Sequence, residues 1–164
     1  MNTSNPHSPP VRNADAADIE EIVRVTNSAY VAEAFCINGA RTSVADVELQ
    51  MGNGQFLVID DPANPGQLLG SVMWSINGER GYLGMLAVAP CHQGQGLARM
   101  LIAAVEKRCR AENCRFLELT VVNLREELFR YYSSFGFTAG STLPFPAPEK
   151  IIQPLHLVQM RKIL

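Results

Sequence analysis

Apolar residues recur along the chain with two spacings, which predict strands and helices in turn. Short alternating or continuous apolar runs predict strands, and repeats at i, i+3, i+4 and i+7 predict helices. Leu97, Leu101 and Val105, for example, mark one face of a helix. The predicted strands cover 11–14, 56–59, 68–75, 81–88, 116–122, 137–141 and 155–160. The predicted helices cover 16–34, 44–51, 97–113 and 125–135.

Cap and turn residues bound several of these elements. Asp15 and Ser43 precede the first two helices and are expected as N-caps. Asn77-Gly78 supplies the residues of a tight type I′ hairpin between two strands. Gly136 ends the fourth helix in a position where glycine adopts the left-handed conformation. The resulting order, βααβββαβαββ, predicts an α/β protein with a mixed sheet of about six or seven strands and about four flanking helices.

The chain has the length and composition of one globular domain. Its 164 residues are 47% hydrophobic and 18% charged, with no internal repeat or linker. We expect a single domain at 11–164 after a disordered Ser/Asn/Pro-rich leader at 1–10, which lacks the apolar core of a signal peptide. No apolar run reaches the roughly 20 residues of a membrane helix. A net charge of −2 provides no basic field for nucleic acid.

The four cysteines form no CxxC pair and predict reduced thiols. Together with the absence of an export signal in this sequence, they favour a cytoplasmic location. No metal site is predicted.

A glycine-containing loop between the strand at 81–88 and the helix at 97–113 is a predicted anion site. It follows Pro90 and contains Gly94 and Gly96. The first N–H groups of a helix have no intrahelical acceptor, and glycines allow the backbone to approach a phosphate closely. A Walker A loop is excluded because no Lys-Ser/Thr follows Gly96. The dinucleotide fingerprint fails because Arg99 stands where it requires glycine.

The loop resembles the acetyl-CoA pyrophosphate loop of the GNAT N-acetyltransferase superfamily. The match is Gln93-Gly94-Gln95-Gly96-Leu97-Ala98, preceded by Val88-Ala89-Pro90. The predicted element order is also that of the superfamily, over nearly the whole chain from Val11. The resemblance implies a GNAT fold and acetyl-CoA as cofactor. It also implies two backbone segments that bind acetyl-CoA: Leu86, Ala87 and Val88 along the pantetheine arm, and Gln93, Gly94, Gln95, Gly96, Leu97 and Ala98 around the pyrophosphate.

A second resemblance lies in Asn123 and in the Tyr-x-x-x-Gly-Phe pattern from Tyr132 to Phe137. It implies that Tyr132 is the general acid beside the CoA sulfur; the alternative is an aromatic packing role. Asn123 is a candidate catalytic residue, but the interval to Tyr132 is longer than is common in the superfamily. A strand-end cap of the helix is therefore an equal alternative for Asn123.

The general base is open. Many superfamily members have a glutamate near the position of Tyr82, but no carboxylate lies within 81–88. The candidates are Glu33, Glu79, Glu118 and His156, or a water chain.

The resemblance implies that residues 30–42 and 143–154 set the acceptor. They show neither an acidic polyamine pocket nor a phosphate-binding cluster. The acceptor, the acyl chain length and the oligomeric state, a homodimer included, stay open.

The predicted function is acetyl-CoA-dependent N-acetyl transfer to a primary amine of a small molecule, peptide or protein by direct transfer. One rival is a non-catalytic acyl-CoA-binding or sensor module of the same fold. The other is a structural or interaction protein whose glycine loop is only a turn.

Overall fold

A computed structural model describes residues 9–164, so most of the leader predicted at 1–10 lies outside the described residues. The strands are β1 (Val11–Asn13), β2 (Gln55–Asp60), β3 (Leu68–Asn77), β4 (Arg80–Val88), β5 (Phe116–Val122), β6 (Thr138–Leu143) and β7 (Leu157–Ile163). The α-helices are α1 (Ile19–Ala29), α2 (Val44–Asn53), α3 (Leu97–Ala111) and α4 (Glu126–Ser133). The predicted mixed α/β architecture is confirmed.

All seven strands form one sheet in the order β1-β2-β3-β4-β5-β7-β6. Neighbours are antiparallel except β4 and β5, which are parallel and joined through α3. Alternate strand residues face opposite sides because successive side chains in a strand point to opposite faces. Phe56 and Val58 pack with α1 and α2 on one face. Leu57 and Ile59 pack with α3 on the other, where Leu97, Leu101 and Val105 are buried as their spacing predicts.

The predicted caps are present. Asp15 accepts a hydrogen bond from the N–H of Ala17 at 2.9 Å, and Ser43 accepts one from the N–H of Asp46 at 3.2 Å. Asp18 and Asp46 complete the two capping boxes by bonding back to the cap residue. Gly136 has the expected left-handed conformation, with φ of +93°.

Two local predictions are wrong. The helix predicted at 16–34 is α-helical only from Ile19 to Ala29, because a 3-10 turn lies at each end. The hairpin after β3 is not type I′: Asn77 pairs with Arg80, so the loop is Gly78-Glu79. Only Gly78, with φ of +61°, is left-handed, which is the requirement of a type II′ turn.

Candidate active site

The pairing of β4 with its neighbouring strands changes part-way along its length. It pairs with β5 only at Arg80, Gly81 and Tyr82. On its other side, Met73 pairs with Gly84 and Ser71 with Ala87, so three steps along β4 match two along β3. This one-residue bulge includes Met85, whose φ of +50° is left-handed. From Leu83 onward the edge of β4 that faces β5 has no strand partner, and a slot opens between the two strands.

The glycine loop lies at the end of this open segment. Gly94 and Gly96 have φ of +78° and +81°, and a Cβ atom added to either would meet nothing within 4 Å. Gly96 is the N-cap of α3 and provides no side-chain cap, so no N-cap side chain bonds to the first N–H groups of the helix. The Nε2 of Gln93 donates to the carbonyl of Val88 at 3.3 Å and ties the loop to the strand. The geometry is that of an anion site.

One cavity of about 460 Å³ joins the slot to the loop. Most residues predicted for the cofactor line it. They are Leu86, Val88, Gln93, Gly94, Gly96, Leu97 and Ala98. Ala87 is buried in the core and Gln95 is exposed, and neither lines the cavity. For Ala87 the predicted contact is a backbone one, which side-chain burial does not affect.

Tyr132 lines the same cavity from α4 and is only 9% exposed. Its ring makes edge-to-face contacts with Tyr131, at 5.4 Å between centroids, and with Phe137, at 6.0 Å. Burial, and next the nearby phenol of Tyr30, raise the pKa of Tyr132 above its usual value. The phenol therefore keeps its proton at neutral pH. Tyr131 also lines the cavity, but it is 38% exposed.

Comparisons with known proteins decide the family. A model of the acetyltransferase (GNAT) family matches residues 22–137, which is more than half of the chain. This chain belongs to the GNAT acetyltransferase family. An acetyltransferase of Yersinia pestis (strain Pestoides F) is 29% identical over 98 residues, which cover 60% of this chain and 69% of the relative. The prediction of an acyltransferase, rather than a structural protein, is thus confirmed.

Solved structures show the same fold. The ribosomal-protein-alanine N-acetyltransferase from Brucella melitensis superposes with a TM-score of 0.74 at 22% identity, covering 94% of this chain and 99% of that one. A chain of the NatC complex bound to Gag peptide and CoA superposes with a TM-score of 0.71 at 15% identity, covering 96% and 99%. At these identities the likeness concerns the GNAT fold alone.

Asn123 lies at the end of β5, outside the lining of the cavity of this acetyltransferase. Its Oδ1 accepts from the N–H of His156 at 2.8 Å, and its own N–H donates to the carbonyl of His156 at 3.0 Å. These bonds join the end of β5 to the segment before β7. They do not cap α4, whose N-cap is Arg125. The location favours a structural role for Asn123 over the predicted catalytic one.

Of the candidate bases, Glu33 alone lines the cavity. Glu118 is buried, but it accepts hydrogen bonds from Arg161 Nε at 2.8 Å and Gln159 Nε2 at 3.0 Å. Glu79 and His156 are exposed and lie outside the cavity lining. The structure therefore separates Glu33 from the other three by position.

Glu33 is 6% exposed and follows α1 in a 3-10 turn. Its Oε1 lies 3.3 Å from Nη1 of Arg125, at the start of α4. Burial raises the pKa of Glu33, while the charges of Arg41 and Arg125 oppose that shift. A carboxylate with a raised pKa inside a cavity is suited to accept a proton.

Sequence reasoning missed one of the groups around Glu33. Arg125 lies in the long interval between Asn123 and Tyr132, and it pairs with Glu33 across 92 positions of sequence. Tyr30, the first residue of the predicted acceptor segment 30–42, lines the cavity beside Glu33, and burial raises its pKa to about 12. The spacing of three between Tyr30 and Glu33 is a signal that could have grouped them, because residues three apart on a helix are neighbours.

None of the helices formed within 9–164 is long and apolar enough to cross a membrane. Within the same residues, no group of three or more His, Cys, Asp or Glu side chains could hold a metal ion.

Proposed function

We propose that this acetyltransferase transfers the acetyl group of acetyl-CoA directly to a primary amine bound in the cavity. One observation carries the proposal: a single cavity is lined by the glycine loop, by the segment of β4 that has no partner in β5, and by Tyr132 and Glu33. A GNAT relative's fold in complex with CoA supports the choice of cofactor. Two structural neighbours, a ribosomal-protein-alanine N-acetyltransferase and a NatC complex bound to Gag peptide and CoA, support an amine acceptor without fixing its class.

The residues present fit acetyl-CoA. The open space at Gly94 and Gly96 and the uncapped start of α3 suit a pyrophosphate, which carries negative charge and needs N–H donors. The unpaired edge of β4 at 86–88 suits an extended arm that hydrogen-bonds like an added strand. When bound, acetyl-CoA supplies an activated acetyl thioester. Residues 86–88 and 93–98 would hold it.

Tyr132 and Glu33 would manage the two protons of the reaction. Tyr132, protonated at neutral pH, would donate a proton to the departing sulfur. Glu33 would accept a proton from the amine, directly or through a water. The backbone N–H of Leu86, within the bulge, would donate to the carbonyl that accumulates negative charge.

The test is an amine screen that follows release of the CoA thiol, first with the native protein and then with Tyr132→Phe. Loss of a general acid should lower kcat about 100-fold and leave acetyl-CoA affinity nearly unchanged. Tyr131→Phe removes the neighbouring phenol, which also lines the cavity but is 38% exposed, and it should retain the native kcat if Tyr132 is the acid. An unchanged kcat in Tyr132→Phe would leave Tyr132 with a packing role only.

A further inference from the structure

Arg41 is a half-buried cation in the wall of the cavity, and one of its N–H groups has no hydrogen-bond partner within residues 9–164. Its Nε is fully buried and has no hydrogen-bond partner among the described residues. Its guanidinium carbon lies 5.0 Å from the centre of the Tyr30 ring. A buried donor without an acceptor is costly, so such groups in native structures call for an explanation. A ligand that binds to Arg41 during function would be such an explanation.

The segment that carries Arg41 is held in place from both sides. Asn27 of α1 makes two hydrogen bonds to Thr42, the residue after Arg41. Its Oδ1 accepts from the N–H of Thr42 at 3.0 Å, and its Nδ2 donates to the carbonyl of Thr42 at 3.1 Å. The preceding carbonyl, of Ala40, accepts from Nζ of Lys150 at 3.3 Å. These contacts and the ring of Tyr30 preorganise Arg41, which lowers the entropy that binding would cost.

The charges around Arg41 leave it available to an anion. Glu33, the carboxylate of this part of the cavity, forms an ion pair with Arg125 at 3.3 Å. Arg41 makes no ion pair within the part of the chain that the structure describes. Arg125 is paired with Glu127 as well, so Arg41 is the arginine in this part of the cavity lining whose positive charge no carboxylate of the described residues balances. Such a surface disfavours polyamines and favours an acceptor that carries its own negative charge.

The space around Arg41 suits a small acceptor. A second cavity of about 270 Å³ shares Tyr30, Glu33 and Arg41 with the first. Arg41 therefore lies where the two cavities meet, with Glu33 beside it. An amine that reaches Glu33 would place a neighbouring carboxylate near the guanidinium, and the second cavity has room for a side chain.

We propose that Arg41 binds the carboxylate of the acceptor, and that the acceptor is a free amino acid or a similar small amine that carries a carboxylate. The planar guanidinium matches a carboxylate in two parallel hydrogen bonds, which fixes orientation as well as charge. This inference rests on the proposed function, because it names the acceptor of that same site.

The experiment compares matched acceptors in the thiol-release assay. Each common amino acid is tested beside its carboxamide and its decarboxylated amine, and a set of short peptides is included. The native protein should prefer the free amino acid by about 10- to 100-fold in kcat/KM, the range expected for hydrogen bonds to a charged group. Arg41→Gln should abolish that preference and leave acetyl-CoA affinity unchanged.

Arg24→Gln is the matched control. Arg24 lies on α1 outside the cavity lining, in an exposed ion pair with Glu21, and its removal should keep the preference. Equal use of the three acceptor forms, turnover limited to peptides, or a preference that persists in Arg41→Gln would overturn the role of Arg41 while leaving acetyl transfer intact. Binding of CoA without turnover of any amine would instead refute the proposed function, and the inference with it.

Discussion

The two halves of β4, residues 80–82 and 83–88, have different roles. In the first half, Arg80–Tyr82 pair with both neighbouring strands, and the backbone of Gly81 is packed against Cys109 of α3. In the second half, the bulge at Met85 breaks the register and no residue pairs with β5. The first half closes the sheet and the second half opens it to a ligand.

The two halves of β4 also differ in backbone strain. A non-glycine residue in the left-handed region costs about 1–2 kcal/mol, and Met85 occupies it with φ of +50°. This cost falls in the open half, next to the cavity. Strained backbone conformations cluster at functional sites. The closed half has ordinary strand geometry and supplies the rigid base from which the open half projects.

The largest predicted effect tests the open half at the loop that follows it. Gly96→Asp should weaken acetyl-CoA binding by at least about 100-fold, because a carboxylate about 4 Å from a phosphate costs about 4 kcal/mol at an effective dielectric of 20. Because position 96 is left-handed, aspartate there should also lower the free energy of unfolding by about 1–2 kcal/mol, which leaves the protein folded. Binding is measured by equilibrium dialysis.

Gly78→Asp is the matched control for this substitution. Gly78 is also left-handed and has open space around it, but it lies in the β3–β4 turn on the closed side. It should bind acetyl-CoA as the native protein does. Native affinity in Gly96→Asp would mean that the open half does not end in a phosphate site.

The next effect concerns the chemistry beside the open half. Glu33→Gln should lower kcat/KM about 100-fold at neutral pH if Glu33 is the general base. Burial raises the pKa of Glu33, so its active, ionised form is lost as the pH falls through a value above the usual 4.3 or so. In a plot of log kcat/KM against pH, the slope for the native protein should therefore become steeper below that pKa, because both the amine and Glu33 must be unprotonated. Glu33→Gln should lack the steepening.

Glu127→Gln is the control, because it also removes a carboxylate partner of Arg125 but leaves Glu33 in place. The Oε1 of Glu127 lies 2.6 Å from Nε of Arg125, but its side chain is exposed and its pKa is lowered by that pairing. Its removal should leave both the rate and the profile near the native ones. A native pH profile in Glu33→Gln would exclude Glu33 as the base and favour a water chain.

The smallest effect tests the closed half and is one of stability. A Cβ atom at position 81 would lie 2.4 Å from Sγ of the buried Cys109, so Gly81→Ala should cost about 1–3 kcal/mol of unfolding free energy through overpacking. Gly52→Ala, within α2 and with no atom near its added Cβ, should instead stabilise by about 0.5–1 kcal/mol. Urea unfolding measures both.

A rescue sharpens this prediction. In the Cys109→Ala background, which lacks the Sγ atom, Gly81→Ala should cost less than in the native protein. The folded Gly81→Ala protein should keep its acetyl-CoA affinity, because the substitution lies in the closed half. Equal costs in both backgrounds would contradict the close packing of β4 on α3.

Much of the fold could be predicted from the sequence, because its signals are local. The helical spacing of Leu97, Leu101 and Val105 and the caps at Asp15 and Ser43 depend on neighbours in sequence, and the structure confirms them. The turn after Asn77 shows the limit of such reasoning. The register of β3 and β4 moved the loop by one residue, and register depends on packing across the sheet.

The candidate site divides in the same way. The glycine loop is contiguous in sequence, and most of its residues line the cavity as expected. The pairing of Glu33 with Arg125 joins residues far apart in the chain, and nothing near either residue predicts it. The place of Asn123 at a strand end was likewise decided by β7, a strand that begins more than thirty residues later.

Calorimetric titration with CoA and acetyl-CoA, at low and at moderate salt, tests the central claim most directly. We expect micromolar binding that weakens as salt increases, because N–H groups and a helix terminus would hold a charged pyrophosphate. Absence of binding at millimolar ligand would contradict it, since the open half of β4 and its glycine loop would then hold no such ligand.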